Sequence, residues 1–129
     1  MAKRKPSKKK LRKIADNLWR LIVLTQWDAT CAYCGRTANP QAHHLITRSR
    51  VATRHEPMNG IVLCPLHHIF STELSAHGAP LAFGDWLEKN HPNVRQWVRD
   101  HQQDMVKSTV GHYEDTIVEL TAELEGEDE

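Results

Sequence analysis

Two half-sites of metal-binding spacing, Cys31-x2-Cys34 and Cys64-x2-His67, constrain this chain more than any other feature. Together they offer three thiolates and one imidazole, a donor set that suits a tetrahedral ion and zinc best. If one ion joins them, the intervening segment must fold back on itself. In the first half-site, Cys31-Ala32-Tyr33-Cys34-Gly35, the glycine permits the tight reversal that turns two thiolates toward one ion. In the second, Cys64 and His67 lie one helical turn apart and share a face. These are all the cysteines present, and an odd number cannot close into disulfides without leaving a thiol over. A reducing, cytoplasmic compartment is therefore expected, where cysteines hold metal more often than each other.

With 129 residues and 40% hydrophobic composition, the chain has material for one domain with a modest core, which a metal staple would reinforce. No signal-peptide pattern is evident, and the apolar run Leu21 to Leu24 is far too short to span a bilayer. The net charge of +1 conceals a division: residues 1–54 carry thirteen Lys/Arg against Asp16 and Asp28, while the remainder carries four against fourteen acidic residues. Such a division fits a basic half that grips DNA and an acidic half that meets a protein partner or limits non-specific sticking. The plainer reading is two solvated blocks of like charge.

Residues 1–10, with Pro6 and no apolar period, read as a basic mobile arm, with order beginning near Ser7. From Leu11, the residues Ile14, Leu18, Trp19, Leu21 and Ile22 recur at helical spacing as far as Gln26. A strand is expected over 42–46 and a second over 60–63. The Arg-rich stretch 47–59 between them reads as a surface loop. Pro65 is placed to start a helix of two or three turns reaching about Leu74, and Gly78 and Pro80 stop it. Further helices are expected from Leu81, over 94–106 and over 113–124, and an acidic tail over 126–129. The fold class is α+β, with 11–125 as a single domain: a core over about 27–78 and a helical part over 79–125.

Two histidine pairs flank the half-sites. His67 and His68 are about 100° apart round a helix, so adjacent imidazoles there serve two different sites. His43 and His44 would face opposite sides of a regular strand, and both address one site only if the strand end is distorted.

The pattern C-x2-C, then His43-His44 followed by Leu45, then Asn59, then Leu63-Cys64-x2-His67-His68 resembles the HNH endonuclease family, in its zinc-bearing branch common among bacteriophage and restriction nucleases. The resemblance spans about residues 31–77; Ser75-Ala76-His77 with Pro80 and Phe83 is similar to the continuation in some phage members. It implies a ββα-metal core, with a structural zinc knuckle and helices before and after it. It also implies a divalent catalytic ion (Mg, Mn, Ni or Zn) on His43 and His68, His44 as general base, and Asn59 as the central asparagine that orients His44 or reaches the ion. Neutral imidazole suits the base role because its ordinary pKa lies near neutrality. The implied reaction is hydrolysis of DNA phosphodiesters to 5′-phosphate and 3′-hydroxyl ends, in a bacterial or phage-infected cell.

The chain departs from the family pattern at two places. His67 stands where relatives often have a fourth cysteine, and Thr72 where some have a further histidine one turn past His68, so the ion would rest on few protein ligands. Arg48, Arg50 and Arg54 are placed to meet phosphates, and Lys8, Lys9 and Lys10 to track the backbone. No recognition helix stands out, which predicts weak sequence specificity and a preference for a DNA structure. Asn59-Gly60 also reads as a plain turn dipeptide. A non-catalytic zinc module that binds DNA or protein would use the same zinc ligands without needing His44.

Overall fold

A computed structural model describes residues 5–127 of the chain. Helix α1 (Lys8–Gln26) begins at Ser7, whose hydroxyl accepts the Lys10 N–H at 3.1 Å. This supplies one of the partners that a helix start lacks. The helix thus takes in Lys8, Lys9 and Lys10, which the sequence reading assigns to the arm; residues 1–4 of that arm and 128–129 of the acidic tail lie outside the described residues.

The buried stripe of α1 is Leu11, Ala15, Trp19, Ile22 and Val23, while Ile14 and Leu21, expected on that face, are exposed. Trp19 sets the rotation: its bulk goes inward and its Nε1–H donates to the Glu56 carbonyl at 2.9 Å. The stripe packs on the long C-terminal helix α5 (Val110–Glu127) through Leu120, Ile117 and Leu124.

A two-stranded antiparallel sheet lies against α1. Strand β1 (Gln41–His44) pairs with β2 (Gly60–Leu63) in the register Gln41↔Leu63, Ala42↔Val62, His43↔Ile61 and His44↔Gly60. β2 is buried at every position because it is covered on both sides. Val62 enters the core beneath α1, and Ile61 and Leu63 enter a second core with Cys31, Cys64, Phe83 and Leu87. Gly60 is extended, and a Cβ there would press on Val23 and come within 2.9 Å of Trp19 Cζ2. It is therefore a close-approach glycine, and Asn59-Gly60 is not the turn that the dipeptide suggests.

Stretch 47–59 is also more than a surface loop. It forms a short helix α2 (Val51–Arg54) and a 3-10 turn (Pro57–Asn59), and it buries Thr53, His55 and Asn59. After β2 the chain enters a π turn (Leu66–Phe70), closed by the Ser71 N–H on the Leu66 carbonyl at 2.8 Å, and leaves it four residues before Leu74. Helices α3 (Pro80–Asn90) and α4 (Pro92–His101) follow, each with a proline in its first turn; α4 ends at His101 rather than at Val106. The architecture is α+β, and no helix of the described residues is long and apolar enough to cross a membrane.

Candidate metal centres and cleft

Cys31, Cys34, Cys64 and His67 converge with their donor atoms within 4.8 Å of one another. The knuckle forms as its glycine requires: Gly35 has φ 77°, its N–H donates to the Cys31 carbonyl at 2.9 Å, and the Cys31 N–H donates to the Arg36 carbonyl at 2.9 Å. Cys34 Sγ lies 3.7 Å from Cys64 Sγ, and His67 Nδ1 lies 3.3 Å from Cys64 Sγ and 3.9 Å from Cys31 Sγ. A regular zinc tetrahedron with bonds of about 2.3 Å to sulfur and 2.05 Å to nitrogen has S···S edges of about 3.8 Å and S···N edges of about 3.6 Å. The cluster has the donor types and spacing to hold a metal ion such as zinc. Burial works against the Cys31 thiolate, yet backbone N–H groups of Cys34, Cys64 and Tyr33 outweigh it and hold its pKa down, the form a metal needs. Cys34, raised by burial and by its sulfur neighbours, would lose its proton on binding.

A second cluster joins His43, His68 and His77. His68 Nε2 is 3.1 Å from His43 Nδ1 and 3.1 Å from His77 Nε2. Those separations match neighbouring ligands about 2.1 Å from one ion, for which an octahedral edge is about 3.0 Å and a tetrahedral one about 3.4 Å. The tautomer of His68 is set from behind: its Nδ1 is 2.6 Å from Gln41 Oε1, which only accepts, so Nδ1 carries the hydrogen and Nε2 presents a lone pair. Burial, reinforced by the neighbouring imidazoles, lowers the pKa of His43 to about 3, and burial and His77 lower that of His68. Three imidazoles facing one point could hold a metal ion.

His77 joins this cluster from nine residues after His68, rather than from one turn after it. The chain returns through a tight loop: the buried Ser75 hydroxyl donates to the Ser71 carbonyl at 2.7 Å and accepts the Gly78 N–H at 2.8 Å, and the His77 N–H donates to the His68 carbonyl at 2.9 Å. A side chain at Gly78 would collide with the Ser71 and Ile69 carbonyls. Ser75-x2-Gly78 was the available sequence signal. For Gln41, it was the position two residues before His43, on the same face of the strand.

His44 faces the other side of β1. Its ring stacks on Trp19, with centroids 3.8 Å apart and planes 6° apart, and its Nε2 is 2.9 Å from the Arg54 carbonyl. A carbonyl only accepts, so Nε2 carries the hydrogen and Nδ1 is the basic nitrogen. Burial lowers its pKa to about 4, leaving it neutral at pH 7. The strand is not distorted. Instead a cleft of about 570 Å³ wraps round its end, lined by His43, His44, His68, His77, Thr47 and Arg48 among others. A second groove of about 440 Å³, lined by Asn17, Arg20 and Arg48, meets it at His44 and His68.

Asn59 touches the loop rather than the imidazoles. Its Oδ1 accepts the Ile46 N–H at 2.6 Å, and its Nδ2 donates to the carbonyls of Ile46 and Thr53 at 3.0 Å each. Of the loop arginines, Arg48 lines the cleft, Arg50 precedes α2, and Arg54 turns inward to pair with Asp16 at 2.8 Å. Lys8, Lys9 and Lys10 are exposed on the first turn of α1, with Lys8 Nζ 3.4 Å from the Ser108 carbonyl.

Compared with known proteins, the chain matches no family model, no curated protein and no solved structure.

Proposed function

We propose that this chain is a metal-dependent DNA endonuclease of the HNH type. The observation that carries the reading is one cleft holding three convergent imidazole nitrogens beside a fourth histidine whose tautomer is fixed with Nδ1 free. His43, His68 and His77 would hold the divalent ion, and Cys31, Cys34, Cys64 and His67 a structural zinc. The bound ion would supply positive charge to the scissile phosphate and the departing 3′ oxygen. His44, neutral at pH 7, takes the proton from the attacking water through Nδ1 as the new P–O bond forms and the P–O3′ bond breaks; solvent protonates the leaving oxygen. Trp19 and the Arg54 carbonyl hold the imidazole in place, and Asn59 pins the loop that follows it. Arg48 meets a phosphate beside the cleft, while Lys8, Lys9 and Lys10 add affinity without choosing sequence. A phage or bacterial setting and a protein partner for the acidic α5 belong to the same reading.

The test is cleavage of plasmid and branched DNA in Mg, Mn, Ni or Zn. His44→Ala should keep zinc and fold while cleavage falls roughly 10²- to 10⁴-fold, the usual contribution of a general base. His77→Ala should instead raise the concentration of ion needed for activity. Wild-type rates in His44→Ala under single-turnover conditions would remove the base assignment. A wild type that cuts no DNA structure with any ion would leave a zinc-bearing binding module.

A further inference from the structure

Helix α1 lies outside the two-stranded sheet, yet it reaches the proposed base directly through Trp19 and indirectly through Asp16. Trp19 stacks on the His44 ring. Three residues earlier, Asp16 takes the Arg54 guanidinium in a fork, Nε to Oδ1 and Nη2 to Oδ2 at 2.8 Å each, and lies 2.6 Å from His55 Nε2 through Oδ1. Burial opposes ionisation of Asp16, but the hydrogen bonds from His55 and Arg54 prevail and hold its carboxyl well below the usual range, so the fork is charged on both sides. The remaining arm of the guanidinium donates to the Arg48 carbonyl at 3.2 Å. The backbone carbonyl of this same Arg54 accepts the His44 Nε2–H.

A helix of four residues has no stability of its own, so α2 is positioned by what its side chains hold. Arg54 is its last residue, and its side chain is anchored on Asp16 at one end and Arg48 at the other. The direction of its carbonyl, and with it the orientation and tautomer of His44, depends on that anchorage. We propose that Asp16 is a positioning residue for His44: through Arg54 it holds the carbonyl that keeps the hydrogen on Nε2 and leaves Nδ1 free to accept a proton. The catalytic consequence rests on the nuclease reading, whereas the effect on the imidazole does not.

Two measurements on the full zinc-loaded chain test this. The ¹⁵N shifts of the His44 ring report which nitrogen is protonated, and single-turnover cleavage of plasmid DNA reports the chemical step. In Asp16→Asn, the ring should change from the Nε2–H form to a mixture of tautomers. Its cleavage rate should fall about 10- to 100-fold with zinc content unchanged, by analogy with the loss of a group that orients a metal-bound imidazole. In a His44→Ala background, Asp16→Asn should cost nothing further, since its only route to the chemistry has gone; a purely structural role would slow both backgrounds alike. An unchanged His44 tautomer together with a wild-type rate overturns the proposal, as does an equal loss in the His44→Ala background. Should Asp16→Asn not fold, Arg54→Lys, which keeps a charge but not the fork, is read in the same way. If the wild type cuts no DNA, the nuclease reading fails on its own, and an unchanged tautomer then overturns the positioning role by itself.

Discussion

Asn59→Ala should unfold this protein readily, and the cost can be worked from what the amide holds. The side chain is wholly buried and makes three hydrogen bonds, at 2.6, 3.0 and 3.0 Å, to the Ile46 N–H, the Ile46 carbonyl and the Thr53 carbonyl. Ile46 and Thr53 are buried, so water does not easily replace the amide once it is removed. Each orphaned backbone group costs about 1 kcal/mol or more, and the three together about 3 to 5 kcal/mol. Against a total stability of about 5 to 15 kcal/mol for a domain, that is a large fraction, and it should lower Tm by about 10 °C or more. Urea and thermal unfolding of the zinc-loaded protein, followed by tryptophan fluorescence, would measure it. Asn59→Asp is the companion variant. It keeps the oxygen facing the Ile46 N–H but replaces both N–H donors with a carboxylate aimed at two carbonyls, and should cost at least as much. If Asn59→Ala stays within about 1 kcal/mol of wild type, the amide is not the pin between the end of β1 and α2, and a direct part in the chemistry becomes the better account.

The Cys31, Cys34, Cys64 and His67 cluster links a knuckle before the sheet to a turn after it, so the binding energy of a zinc ion there should be largely folding energy: Cys64→Ser or a strong chelator should lower stability by several kcal/mol, and zinc-free yet well-folded wild type on elemental analysis would refute this. Acid should also destabilise the fold through His44, whose pKa in the fold is about 4 because burial disfavours the imidazolium. Below the unfolded value near 6.5 only the unfolded chain takes up this proton, so the stabilisation is present above that pH and is lost as pH falls toward 4. Relative to His44→Gln, wild type should lose about 2 kcal/mol between pH 7.5 and pH 5. A constant gap between the two proteins would count against the buried neutral imidazole.

How far the site was legible follows from the distance over which each constraint acts. Cys31-x2-Cys34 and Cys64-x2-His67 are local spacings, and Gly35 at φ 77° is the conformation that such a knuckle demands, so the metal cluster could be read directly. The class α+β, the strand at 60–63 and the long terminal helices rest on periodicity and were equally open. The rotation of α1 was not, because it is fixed by Trp19 reaching Glu56 thirty-seven residues away. His77 was legible only within the Ser75-Ala76-His77 resemblance, and its place beside His68 was hidden for a related reason: a regular helix after Pro65 would carry the chain away from His68, and only the wider π turn and the Ser75 loop bring it back. The orientation of His44 draws on α1, β1 and α2 together, through Trp19, Asp16 and the Arg54 carbonyl. Adjacent histidines on a regular strand point apart, and here that alternation separates the two rings, sending His43 to the imidazole cluster and His44 to its tryptophan. Both imidazoles still line one cleft, because His44 is the last residue of the strand and the cleft passes round its end.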